Sequence, residues 1–383
     1  MVYAQALFAA ASCVLIYVLF GYPLLLAWIS KRFARPIRYG PMEPAISVII
    51  AAYNGELFLE RKLISVLALE YPREKMEILV ASDGSTDRTD QIAESFADQG
   101  VQLLRLPRGG KPAALNAAIP KAHGEILVLT DVRQELGADS VKRLMECFAD
   151  PQVGVVSGEL LIRSGSSQGE ASIGLYWRFE TWMRDRLSAV DSMFGATGPF
   201  YAIRRSLACH IPPDILLDDM YLPLAAFFAG YRLVMEPRAK AFDYPTSVQT
   251  EFRRKVRTLA GNYQLLRFYP QLLGPSNRMW GHFLSYKIGR LLLPWVLLTI
   301  LATSFFLPPY LGAAALGLQA VFYGLAAADS IVGNSPLRRL TSPISAFAVM
   351  MFAALLGLSV FFVPPRRLWK VTSASQQKNG TGS

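Results

Sequence analysis

The first thirty positions carry no charged side chain, and Ala4 to Ile29 is a predominantly apolar stretch. About 20 such residues in a helix cross the hydrocarbon core of a bilayer. A cleaved signal peptide would need a basic start and a shorter apolar run. Residues 1–30 therefore predict a transmembrane helix. Lys31, Arg32, Arg35 and Arg38 follow at once, in a basic juxtamembrane linker over 31–44. Such a cluster marks the cytoplasmic side, so the next domain is expected inside. Three further apolar runs, Leu291 to about Leu307, Tyr310 to about Ile331 and Ile344 to Val363, predict a membrane region over 291–364, with Asp329 the one charge from Leu291 to Leu337. Three crossings would leave the basic, flexible tail 365–383 outside, yet Arg366, Arg367, Lys370 and Lys378 argue for inside. One of the three runs being re-entrant or interfacial would remove the conflict, and the side of the tail stays open.

Between the membrane segments the pattern alternates. Ile46–Ala51, Glu77–Ala81, Val101–Leu104 and Ile126–Leu129 read as short buried strands. Helical periods fall between and after them, at 56–69, 87–96, 113–121 and 138–148. Strand-helix alternation of this kind predicts an α/β fold with a mostly parallel sheet and helices on both faces, over a domain 45–249. Residues 250–290 read as basic amphipathic helices broken by Pro270, Gly274 and Pro275. Their Leu259, Leu265, Leu266, Phe268 and Trp280 would enter the interface, while Arg253, Arg254, Lys255, Arg257 and Arg267 face headgroups or ligand phosphates.

Composition agrees with a chain partly in lipid: 52% of 383 residues are hydrophobic and 18% charged, with mean hydropathy +0.29. Residues 1–250 hold 25 basic and 27 acidic side chains, and 251–383 hold 14 and 2. The excess of +10 is thus a juxtamembrane feature, which attraction to anionic headgroups explains. No basic stripe interleaved with aromatics supports nucleic-acid binding. Cys13, Cys147 and Cys209 form no CxxC pair, which fits a reduced compartment without structural zinc.

In parallel sheets ligands collect beyond the carboxyl ends of the strands, so the polar residues there are the candidates. After the first strand come Ala52 and Tyr53, a small residue and a flat ring that suit a base, or a plain turn with a core tyrosine. After the second comes Asp83, a carboxylate able to accept from a ribose or a pyrimidine imide. Asp87 nearby reads as a helix cap. Gly109-Gly110-Lys111 opens a helix, as phosphate sites do, without P-loop spacing. Asp131 closes the fourth strand and offers the oxygen ligands that Mg2+ or Mn2+ prefers. Asp218-Asp219 opens a helical run to Gly230, either as dipole partners or with one of them a general base.

In this order, 46-ISVIIAAYN-54, the Asp83 motif, 110-GKPAALN-116, Asp131, 198-GPFYAIRR-205 and Asp218-Asp219 resemble the membrane-bound family 2 glycosyltransferases, such as the cellulose, hyaluronan, chitooligosaccharide and poly-N-acetylglucosamine synthases. The resemblance implies a GT-A domain, a UDP-sugar donor and inverting transfer to an acceptor hydroxyl. It also implies roles. Ala52, Tyr53, Asp83, Lys111 and Asp131 would hold the donor, Asp131 through a divalent metal. Asp219 would be the base beside Asp218, and Gly198, Arg254 and Arg257 would line the acceptor side.

Two departures stand out. The family's Asp-x-Asp reads Asp131-Val132-Arg133, and a guanidinium cannot ligate a cation. Either Asp131 holds metal with other ligands, or Arg133 neutralises diphosphate, or Arg133 turns away. The family's Gln-x-x-Arg-Trp reads 254-RKVRT-258, without the tryptophan. Tyr263, Trp177 or Trp182 would have to stack on the acceptor sugar, unless they only pack.

These features predict a bacterial inner-membrane enzyme with a cytoplasmic catalytic domain, extending a polysaccharide or oligosaccharide. The alternatives are glycosylation of a lipid or lipid carrier, and a non-catalytic nucleotide-sugar sensor within an export complex. Homo-oligomer, export partner, sugar and linkage are open.

Overall fold

The computed structural model describes residues 2–163, 170–244, 248–332 and 337–369. Two compact units divide the described residues, one of 34–163, 187–244 and 365–369, the other of 2–33, 170–186, 248–332 and 337–364.

The first unit is built on an eight-stranded sheet. β1 (Ile46–Ala52), β2 (Met76–Asp83), β3 (Val101–Leu106) and β4 (Ile126–Asp131) are followed by β5 (Glu135–Leu136), β6 (Val153–Ile162), β7 (Phe200–Arg204) and β8 (Arg232–Asp243). Their order across the sheet is β3-β2-β1-β4-β7-β6-β8-β5. β1, β2, β3 and β4 are mutually parallel. Their near-continuous apolar runs suit strands buried on both faces, and Ile46, Val48, Ile49 and Ile50 are at most 1% exposed.

β7 runs antiparallel to both β4 and β6, while β6 and β8 pair in parallel. The four predicted strands and the predicted mostly parallel sheet are found, each strand starting and ending within two residues of expectation. β5 to β8 have no counterpart in the sequence reading. In β8 the apolar residues alternate with Glu236, Arg238 and Lys240, and Glu236 receives the Arg238 guanidinium at 2.8 Å.

The second unit holds four helices long and apolar enough to cross a membrane: Val2–Arg32, Trp280–Ser304, Pro309–Ala328 and Arg338–Phe361. The second begins at Trp280 rather than Leu291, so 280–290 belongs to an apolar helix and not to a surface one. Val2–Arg32 packs on it, where Gly289 lies so close to Val18 that an added Cβ would come within 2.9 Å. Small residues permit such approach between apolar helices. Tyr17 and Tyr22 reach Ser285 and His282 at 2.8 and 3.1 Å.

The basic helix Val248–Phe268 packs along Arg338–Gly357, with Gly357 against Ala260 and Phe252 stacked on Phe352. Residues 170–186 interrupt the expected continuous domain 45–249 and group with these helices. There the Glu180 carboxylate accepts from Tyr286 and pairs with Arg290 at 2.6 Å. Burial opposes its charge, but Arg290 and Lys287 hold Glu180 down to about 2. Of the tail 365–383, residues 370–383 lie outside the described residues, as does the Trp177 side chain.

Candidate active site

The carboxyl ends of β1, β2 and β4 bring the candidate residues of the first unit together. At the end of β1, Ala52 is buried and Tyr53 half-buried. Asn54 takes a left-handed φ of 48°, which asparagine tolerates. Its side-chain carbonyl accepts the Thr86 amide at 2.8 Å, and its own amide donates to Ser85 at 3.1 Å. The exits of β1 and β2 are thereby knitted. Asp87 receives the Thr89 amide at 3.0 Å just ahead of the helix Thr89–Glu94, whose N-cap position is Arg88, so it braces the turn into the helix rather than capping it as expected.

Asp83 is 2% exposed at the end of β2. Its two oxygens accept the Gly109 amide at 2.7 Å and the Gly110 amide at 2.9 and 3.0 Å, and it pairs with Arg108. Gly110 has a φ of +91°, a backbone that only glycine adopts readily. Here the amides that suggested a phosphate cradle are engaged by Asp83, and Asp83 holds the loop. Arg108 lies over the Tyr53 ring, 3.5 Å from its centroid. Arg108 was missed in the sequence, where its only signal is that it precedes the glycine pair.

Lys111 opens the helix Lys111–Ala118 and reaches across to two elements. Its Nζ lies 2.8 Å from Asp131 Oδ1 and 3.0 Å from Asp218 Oδ2. Burial opposes its charge, but Asp131, Asp218 and Asp219 together hold Lys111 protonated, above the ordinary lysine range. Asp218 Oδ2 is buried and receives no aligned hydrogen bond, so its contact with Lys111 is ionic.

Asp218 and Asp219 start the helix Asp218–Phe228 with different surroundings. Asp218 is 4% exposed, while Asp219 is half-buried. The Asp219 carbonyl accepts the Ala196 amide at 2.7 Å. Its carboxylate lies against Gly198, where an added Cβ would fall 2.6 Å from Oδ2. Tyr201, fully buried on β7, has a hydroxyl without a hydrogen-bond partner. Burial first, then Asp218, Asp219 and Asp131, push that phenol well above its usual range.

Arg133 is committed elsewhere, which decides among the readings of the altered Asp-x-Asp. Its guanidinium pairs with Asp243 at the end of β8, and both side chains are largely buried, at 12% and 6% exposure. Gln134 donates to the same carboxylate at 2.8 Å.

Arg254 and Arg257 lie on Val248–Phe268 in the other unit, where Arg254 pairs with Glu251 at 2.9 Å. Tyr263 donates to the Leu291 carbonyl and meets Phe361 edge-on, and Trp182 stacks on Phe179. Both aromatic residues pack, as their plainer reading had it.

Residues 47–210 match the glycosyl transferase family 2 model. The chain is 27% identical over 292 residues to an N-acetylglucosaminyltransferase of Rhizobium meliloti, covering 70% of this chain and 67% of that protein. It is 26% identical over 251 residues to poly-beta-1,6-N-acetyl-D-glucosamine synthase of Staphylococcus aureus, with 61% and 60% covered. A probable glycosyltransferase of Bacillus subtilis, YdaM, is 24% identical over 248 residues, and the match spans 58% of its length. Among solved structures, mannosyltransferase PcManGT from Pyrobaculum calidifontis, in complex with GDP-Man and Mn2+, superposes with a TM-score of 0.67 at 25% identity, covering 91% of this chain and 99% of that one. The strand-end residues Tyr53, Asp83, Lys111 and Asp131 all fall inside the matched segment, and residues 47–210 are a glycosyl transferase family 2 domain on a GT-A fold.

Proposed function

We propose that the chain is a membrane glycosyltransferase that moves a sugar from a UDP-sugar to a growing saccharide, with inversion at the anomeric carbon. The observation that carries this reading is Lys111 held between Asp131 and Asp218, one residue from Asp219. Inversion by single displacement needs a base on the acceptor side and positive charge on the leaving side. Asp219, half-buried and seated on Gly198, takes the proton from the attacking hydroxyl. Lys111 is the protein's own cation for the departing diphosphate, and Asp218 keeps it charged. Tyr53 and Asp83 receive the nucleoside, which requires Arg108 to leave the Tyr53 face.

A divalent cation fits this donor set. Among the described residues no three Asp, Glu, His or Cys side chains form a ready-made cage. Mg2+ is commonly held by one or two carboxylates completed by substrate phosphates. Asp131, 35% exposed, and the unaligned Asp218 Oδ2 are the carboxylates available. Asp131 would hold the ion, which would neutralise diphosphate charge. The Mn2+ and GDP-Man in the Pyrobaculum calidifontis enzyme support a metal and a nucleotide sugar.

The synthase names of the relatives support a saccharide acceptor over a lipid one. The four apolar helices support a membrane location, the bacterial relatives suit an inner membrane, and the basic cluster Lys31, Arg32, Arg35 and Arg38 after the first helix favours a cytoplasmic family 2 domain. Residues 250–279, with Arg254 and Arg257, are assigned to acceptor access beside the bilayer. The test is a screen of radiolabelled nucleotide sugars with the purified full chain in lipid nanodiscs, with and without Mn2+ or Mg2+, reading product size. A long saccharide is expected from a UDP-sugar. A single-sugar lipid product would move the reading to lipid glycosylation, and UDP binding without turnover of any donor would make the protein a sensor. Asp219→Asn is expected to abolish transfer while UDP still binds.

A further inference from the structure

Lys62 is the one fully buried lysine among the described residues, at 0% exposure on the helix Leu59–Leu67. Enclosing an ammonium costs several kcal/mol even after relaxation. A methionine of similar length would fill the same space without that cost. What the ammonium does is set by its partners. Nζ donates to Thr130 Oγ1 at 2.6 Å and to the Gln134 carbonyl at 2.7 Å. These two acceptors flank Asp131-Val132-Arg133, so one group grips both ends of the turn that presents Asp131.

The grip extends further. A hydroxyl has one proton to give. Because Thr130 Oγ1 accepts from Lys62, its proton is directed to the Pro199 carbonyl, which it reaches at 2.7 Å. The Asp131 amide approaches the same carbonyl at 3.4 Å. Pro199 follows Gly198, whose Cα faces the Asp219 carboxylate. The other side of this loop is also tied, through the Thr197 amide to Ser157 Oγ at 2.8 Å and Ala196 to the Asp219 carbonyl at 2.7 Å. A continuous path of short contacts therefore runs from Lys62 under the Asp131 turn to the seat of Asp219.

We infer that Lys62 is a positioning residue that fixes the spacing between the donor-side carboxylate Asp131 and the acceptor-side carboxylate Asp219, acting through Thr130 and Pro199. It touches no substrate. Its partial burden of charge is shared at longer range with Asp131 and Glu135, which oppose the effect of burial. The inference rests on the transferase reading for its kinetic consequence, while its structural consequence can be read without turnover.

The experiment compares the purified full chain with Lys62→Met and Thr130→Val by amide hydrogen exchange and by donor kinetics. Exchange over 131–134 and 197–200 is expected to rise about 5-fold or more in both variants, with β1 unchanged, because local opening there loses its clamp. Where transfer is measured, kcat is expected to fall about 10-fold or more with donor KM nearly unchanged, as a small misplacement of reacting groups does. Unchanged exchange at both loops would overturn the inference. So would a uniform rise over the whole sheet with parallel loss of UDP binding, which would make Lys62 a general stabiliser. If Lys62→Met fails to fold, Thr130→Val, which keeps the lysine and breaks the relay, decides alone. Wild-type protein that makes no product while its variants loosen at these two loops would defeat the transferase reading and leave the clamp standing.

Discussion

Gly198 and Asp219 meet so closely that a methyl group on the glycine would lie 2.6 Å from the Asp219 Oδ2. A side chain there has to push the carboxylate off its seat. The hydrogen from which glycine is built at this position is thus a condition for where Asp219 points.

Gly198→Ala is therefore expected to lower kcat by about 100-fold, the order at which general-base assistance operates, with the sheet intact. Steady-state kinetics on folded protein check this. Activity within a factor of about two of wild type would separate Asp219 from the base role.

Lys111 is expected to stay charged across the neutral pH range. A lysine held above its ordinary range contributes stability that is fully present below the unfolded value and lost only as pH rises through the folded one. Between pH 6 and 9 its charge is constant. The Tm difference between wild type and Lys111→Met should then be flat over that window, and the variant should lose donor turnover throughout it. Thermal melts at several pH values measure it; a gap that closes toward pH 9 would contradict the ion pairs with Asp131 and Asp218.

Lys62 should behave in the opposite sense. Burial lowers it to about 7, with Asp131 and Glu135 partly offsetting the effect. From there up to the ordinary lysine value the unfolded chain binds the proton and the folded chain does not, so stability rises with pH in that window. Lys62→Met should be more stable than wild type below pH 7, with the advantage shrinking toward pH 10. Melting curves across this range give the sign directly.

Restoring the family's second carboxylate should not restore a metal site. Arg133 and Asp243 are a buried pair, and Arg133→Asp would leave Asp243 facing a like charge. Removing one partner of a buried pair costs about 3 to 5 kcal/mol. Denaturant unfolding should show a loss of this order, and the Mn2+ affinity of the folded variant should not exceed that of wild type. A stable variant with tighter Mn2+ binding would reverse the assignment of Arg133 to Asp243.

Much of this protein is written in local patterns. β1 to β4 are visible because strands buried on both faces must be apolar at nearly every position, and the four long helices because their apolar runs reach the length that crosses a bilayer. Asp83, Lys111 and Asp131 could be picked out because parallel strands deliver their carboxyl ends to one side, and Asp218-Asp219 because two acids open a helical run. β5 to β8 could not, since β8 alternates charges with alanines and β5 has two residues.

The sequence by itself determined the family 2 strand pattern, the apolar segments and the residues at the strand ends. Only the tertiary structure decided their partners: that Asp83 clasps its own glycine loop and Arg108, that Arg133 belongs to Asp243, and that Lys62 lies beneath the Asp131 turn. Hydrophobic periodicity is a property of neighbours along the chain and survives in the bare sequence. A hydrogen bond or ion pair joins groups separated by tens or hundreds of residues, and its geometry exists only once the sheet order has set which loops face one another.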